Sequence, residues 1–107
     1  MEKLKNIDEV RDFIEKNQLA FLYVSSWECS VCRDLLPKIE GVLSIYPLIA
    51  SRHVEINEIP EIAGELSIFA IPVLLLFIDG KETIREGRYV IISELQEKIS
   101  RYVSILQ

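Results

Sequence analysis

Metal ligands are scarce in this chain. Its 107 residues include 2 cysteines and 1 histidine. A structural zinc site needs about four ligands, so the thiols lack partners for one, and no metal or separate cofactor is expected. Positive charge is also in short supply. There are 12 Lys and Arg against 17 Asp and Glu, a net charge of −5. Nucleic-acid binding draws on clustered Lys and Arg, and no basic patch or basic amphipathic helix occurs, so no nucleic-acid partner is expected. The acidity serves solubility. Long apolar runs are missing too. The longest, "IFAIPVLLLFI" from Ile68 to Ile78, is too short to span a bilayer and contains Pro72, so no membrane partner is expected. The opening "MEKLKNIDEV" shows no long apolar region behind its charges, so it does not read as a signal peptide. A cytoplasmic monomer is the expectation. Repeats, low-complexity tracts and linkers are absent, and residues 1–107 read as a single domain.

What is present is a core. Half the residues are apolar, enough for one domain without staples. "NIDEVRDFIEKN" opens with a capping-box pattern, Asn6 and Glu9, followed by Val10, Phe13 and Ile14 at helical spacing. "LAFLYVS" is continuously apolar and rich in β-formers, which suits a central strand covered on both faces. Leu35, Leu36, Ile39, Val42, Leu43 and Tyr46 trace one face of a helix that Pro37 should kink and Pro47 should end. "SRHVEIN" alternates as a strand, and "IPEIAGEL" reads as a short helix. "VLLLFI", the turn Asp79–Gly80 and "KETIREG" form a hairpin. A last helix is expected to start at Ser93, capped with Gln96. The order α, β, α, β, α, β, β, α, with a short strand in Glu2–Lys5, predicts an α/β sandwich around a mixed sheet.

The chemistry is concentrated in "WECSVC". Cys29 and Cys32 fall where a buried strand gives way to a helix. The positive end of the helix dipole and unpaired N–H groups favour a thiolate there. Cys32, one turn on, is within reach of a mixed disulfide on Cys29. Taken alone, the pair also reads as two inert core cysteines.

The set "VSSWECSVC", Pro37 five residues after the second cysteine, and "FAIPVLLLFIDGKE" resembles the thioredoxin family over nearly the whole chain. The resemblance implies a thioredoxin-like fold, a central mixed β-sheet flanked by helices on both faces. It implies a thiol–disulfide oxidoreductase whose redox-active group is its own Cys29–Cys32 disulfide. Cys29 would be the nucleophile and Cys32 the resolving thiol. Protein disulfides would be the substrates, and a reductase or low-molecular-weight thiol the electron donor. It also implies a cis Ile71–Pro72 bond facing the dithiol, with the Ile71 backbone open to an extended substrate segment. Gly87 resembles a groove glycine, or else closes the hairpin as an ordinary turn glycine. Trp27 either contacts substrate or shields the helix start.

Several positions depart from the family pattern. Trp is displaced by one, so Glu28 precedes Cys29, and Ser30–Val31 replace Gly-Pro. Val31 brings an N–H that proline lacks, Ser30 adds a hydroxyl, and both would favour the thiolate. Glu28 would disfavour it, weakly if solvated. Counting back without gaps, Tyr23 stands where the family carries a buried Asp, and His53 where that Asp has its Lys partner. Two readings follow: a Tyr23–His53 hydrogen bond in the core, or a proton relay using His53 as base. A rival function is a thioredoxin-fold redox sensor or binding module with little turnover. A glutaredoxin-like activity lacks a basic cluster for glutathione carboxylates.

Overall fold

Residues 1–106 are described in a computed structural model. In chain order they form α1 (Ile7–Lys16), β1 (Leu19–Ser25), α2 (Ser30–Leu43), β2 (Ala50–Glu55), α3 (Ile62–Glu65), β3 (Val73–Ile78), β4 (Lys81–Glu86) and α4 (Ile92–Leu106). The strands lie in the order β2-β1-β3-β4. β1 pairs parallel to β2 and antiparallel to β3, and β3 pairs antiparallel to β4, so the sheet is mixed. Lys3 bridges in parallel to His53, so the N-terminal segment covers the outer edge of β2.

Local chemistry sets the boundaries. At α1, Asn6 Oδ1 accepts from the Glu9 N–H at 2.9 Å. In return the Glu9 carboxylate accepts from the Lys5 N–H at 2.7 Å, one residue beyond the expected cap. Asp8 and Glu9 in the first turn and Lys16 in the last complement the helix dipole. α2 runs through Pro37 as one helix and is capped by Ser44, earlier than Pro47. α4 begins at Ile92, so Ser93 lies inside its first turn rather than at the cap. The Ile91 carbonyl takes the first bond there, from Leu95 N–H at 3.0 Å. β2 stops at Glu55, short of the expected Asn57, because the N–H groups of Glu58 and Ile59 both return to the Glu55 carbonyl. Asp79 and Gly80, with φ of 51° and 80°, turn the β3–β4 hairpin through the left-handed region, which favours Gly at the second position.

The sheet divides two apolar clusters. On one face β1, β3 and β4 pack Phe21, Tyr23, Leu74, Leu76 and Ile84 against α2 and α4, through Leu35, Ile39, Leu95 and Ile99. On the other, Ala20, Leu22, Val24, Leu75 and Phe77 meet Val10 and Phe13 of α1 and Ile62 of α3. β1 is buried along its whole length, as expected for a strand with neighbours on both edges and helices on both faces. No helix among the described residues is long and apolar enough to cross a membrane.

Candidate active site

The site lies at the carboxyl end of β1, where the chain leaves the sheet and enters α2. Ser26 organises this passage. Its carbonyl accepts the Cys29 N–H at 3.0 Å. Its hydroxyl accepts from Glu28 N–H at 3.3 Å and from the Asn57 side-chain amide at 2.9 Å. Cys29 is the N-cap of α2, in extended conformation. Its Sγ accepts from the Cys32 N–H at 3.2 Å, as a Ser or Asp oxygen does at an ordinary cap. Val31 N–H and the Ser30 hydroxyl were expected only as further donors to a Cys29 thiolate, and the bond seen here is a separate one. A cap acceptor reaches the second or third amide of the helix, and Cys32 supplies the third.

Cys29 and Cys32 are joined by a disulfide with Cα atoms 5.3 Å apart, inside the usual range. Their exposures differ. Cys29 is half-buried, whereas Cys32 is 2% exposed and sits in the α2–α4 core. Glu28, Ser30 and Val31 all face solvent. Trp27 is exposed, and its carbonyl accepts from the Arg33 guanidinium.

The loop before β3 enters the sheet at Val73, which pairs with Val24 near the end of β1. The Ile71–Pro72 peptide bond is cis. Ile71 is half-buried and packs against both clusters, and Pro72 is buried. Gly87 sits beside this loop: a Cβ there would stand 3.9 Å from the Pro72 carbonyl, an ordinary contact. Space therefore does not require glycine at this position.

Beneath Cys32 the polar residues are arranged differently from the expected Tyr23–His53 pair. The Tyr23 hydroxyl donates to the Cys32 carbonyl at 2.6 Å, tying β1 to the first turn of α2. Burial pushes its pKa up to about 12. His53 meets Tyr23 only ring to ring, with centroids 5.7 Å apart. Its Nε2 instead shares a short hydrogen bond with the Ser25 hydroxyl. Burial holds the His53 pKa below its usual value; Glu55 opposes this, and Lys3 and the N-terminal amine reinforce it. Parallel register is the reason for the regrouping. Tyr23 stands opposite His53 and Ser25 opposite Glu55, so all four side chains emerge on the face that Cys32 covers. Tyr23, Ser25, Cys32, His53 and Glu55, together with Lys3, help line a cavity of about 260 Å³.

Ser25 and Glu55 were not expected in the site. The signal was available: each lies two residues beyond an expected member on the same strand, and strand side chains repeat with period two. Among the described residues no group of three or more His, Cys, Asp or Glu is placed to hold a metal.

A cysteine pair at a helix start, with one sulfur accessible and the other buried, suits exchange of disulfides through the protein's own cysteines. The thioredoxin family model matches residues 4–101, and the chain belongs to that family. It is 39% identical to Thioredoxin-like protein YdfQ of Bacillus subtilis (strain 168), over 94% of this chain and 90% of that protein. It is 30% identical to Thioredoxin-2 of Pyricularia oryzae over 74% of this chain, a match that spans 46% of that protein's length. The solved structure of Plasmodium falciparum thioredoxin shares the fold, with a TM-score of 0.85 at 19% identity, over 95% of this chain and 99% of that one. With its C-x-x-C pair the protein is a thiol–disulfide oxidoreductase of this family, using its own dithiol as the redox group.

Proposed function

We propose that the protein reduces protein disulfides through a Cys29–Cys32 cycle. Cys29, as thiolate, attacks one sulfur of the substrate disulfide. The other sulfur leaves as a thiolate, and a mixed disulfide joins Cys29 to substrate. Cys32 then loses its proton and attacks Cys29 Sγ. The second substrate sulfur departs, and the protein is left as the Cys29–Cys32 disulfide, oxidised by two electrons. A reductase or a low-molecular-weight thiol returns those electrons.

The observation that carries this reading is the asymmetry of the two sulfurs. Cys29 is half-exposed and receives the Cys32 N–H at 3.2 Å, while Cys32 is 2% exposed. The accessible sulfur is the one with a fixed donor, which favours it as thiolate and nucleophile. Val31 and Ser30 leave the helix start open to water, and exposed Glu28 acts through a screened field. Trp27, Ile71, Pro72 and Gly87 border the groove, where an extended substrate segment pairs with the Ile71 backbone. Tyr23 fixes the helix start through the Cys32 carbonyl. The protein works as a cytoplasmic, single-domain monomer in cell redox homeostasis.

Single-cysteine variants test the assignment. Cys32→Ser should accumulate a mixed disulfide on Cys29, detected by mass spectrometry, and Cys29→Ser should lose protein-disulfide reduction. Trapping on Cys32 instead would overturn the roles. A second reading is a redox sensor with little turnover, favoured by Tyr23 at the acid's position. It predicts reduction no faster than by a free thiol, and a partner complex that depends on the Cys29–Cys32 bond.

A further inference from the structure

Among the described residues Glu55 is the one charged side chain in the fully buried class, at 2% exposed. It lies in the wall of the cavity that also reaches Cys32. Its Oε1 accepts from the Asn57 N–H at 3.1 Å and from the Asn57 side-chain amide at 2.7 Å, which holds the carboxylate in place. Among the described residues no cation pairs with it: Lys3, which also lines the cavity, pairs with Glu58 at 3.0 Å. A buried acid without a cation is costly to keep, and the exchange cycle above does not use it.

We propose that Ser25, His53 and Glu55 form the path that takes the proton from Cys32 as it resolves the mixed disulfide. The proposal rests on Cys32 being the resolving thiol. The Ser25 hydroxyl is the link. It is hydrogen-bonded to His53 Nε2 and lines the same cavity as Cys32; with Nε2 unprotonated it donates to His53 and takes the Cys32 proton directly or through one water. As the Cys32 sulfur bonds to Cys29 Sγ, its proton passes to Ser25 and the Ser25 proton to His53. The substrate thiolate leaves. His53 becomes an imidazolium beside the Glu55 carboxylate, then releases its proton to solvent or to the departing thiolate. Cys32 touches the reacting atoms; Ser25 and His53 move the proton, and Glu55 is a positioning residue that stabilises the charge. Tyr23 is outside the path, since its proton is committed to the Cys32 carbonyl.

The groups facing His53 come from four elements. β2 supplies Glu55, with Glu58 just beyond its end. β1 supplies Tyr23 and Ser25. The N-terminal segment supplies Lys3 and the Met1 amine, and α2 supplies Cys32 and Arg33. Burial keeps the imidazole neutral at neutral pH, so it is a competent acceptor.

Stopped-flow reduction of a protein disulfide separates attack from resolution, and the pH profile of resolution is the readout. In the wild type, resolution should rise with pH only to the His53 pKa, below 6.5, and then level off. His53→Asn should remove that plateau. Its resolution should fall at least about tenfold at neutral pH and keep climbing toward about pH 8.5, following the thiol itself. Ser25→Ala should lower the ratio of resolution to attack by a similar factor. Glu55→Gln should move the plateau's onset to lower pH, because the imidazolium loses its anionic neighbour. A wild-type rate still climbing about tenfold per pH unit above pH 7 overturns the proposal. That outcome needs no variant to fold. If trapping places the mixed disulfide on Cys32, the cysteine roles fail and the path with them. If trapping places it on Cys29 and the profile has no plateau, only the path fails.

Discussion

On the α1–α3 side of the sheet, β1 contributes Ala20, Leu22 and Val24, and β3 contributes Val73, Leu75 and Phe77, with no polar side chain among them. On the α2–α4 side the same β1 contributes Phe21 and Tyr23 and ends at Ser25, next to His53 and Glu55 of β2. On β1 and β3 the α1–α3 face is core alone, with the β2 edge adding Arg52 over the Phe13 ring. The other is a core at one end and a chemical site at the end where the strands run out beneath α2. The difference comes from a single step of strand alternation, since neighbouring residues point to opposite faces. A one-residue slip of β2 would send His53 and Glu55 into the apolar layer. Pairing with β1 along its whole length and the N-terminal bridge to His53 hold it against that.

Substitutions on the two faces should separate stability from chemistry. Leu75 is fully buried in the apolar layer. Leu75→Ala should cost about 2–5 kcal/mol in denaturant unfolding through lost transfer energy and the cavity left behind. The reduction rate per folded molecule should stay within about twofold, and a larger drop would show that the faces are coupled. Tyr23→Phe, on the other face, leaves the Cys32 carbonyl without its 2.6 Å donor. It should cost about 0.5–1.5 kcal/mol, less than the Leu75 change, because one hydrogen bond is lost while the carbonyl keeps its donor within α2 and little packing changes.

The smallest effect is a pH dependence of stability that only the polar face can show. The His53 pKa is lowered on folding from 6.5, chiefly by burial. Between its folded value and 6.5 the unfolded chain binds more protons, so stability should fall as pH falls through that window and be intact above it. His53→Asn should flatten urea midpoints over the same range. The depressed carboxyls of Glu65 and Glu82 act lower, below 4.5, and should leave this window untouched. If the midpoints of the wild type and His53→Asn respond identically, His53 is not held neutral by the fold.

Much of this architecture was legible in the chain. Continuous apolar runs marked the covered strands β1 and β3, helical spacing marked α1, α2 and α4, and Asp79–Gly80 marked the hairpin. These are local signals, and local backbone preference agreed with them. The Ser93 cap failed because a capping-box pattern is short and its residues also sit comfortably in a first turn. The Cys32 N–H that caps Cys29 was not foreseen, for a different reason. Which amide meets a cap sulfur depends on how the helix starts, not on which residue has a free N–H.

From the sequence by itself came the two cysteines at a strand-to-helix passage, the order of elements, and the replacement of an expected acid by Tyr23. Only the tertiary structure decided what surrounds the dithiol. Parallel pairing of β1 and β2 set Ser25 opposite Glu55 and Tyr23 opposite His53, and α2 then closed Cys32 over them. Residues 25 and 55 are thirty positions apart in the chain, and no local preference links them. Strand register does, because it is fixed by burying the apolar residues between them, and the polar side chains go where that burial sends them.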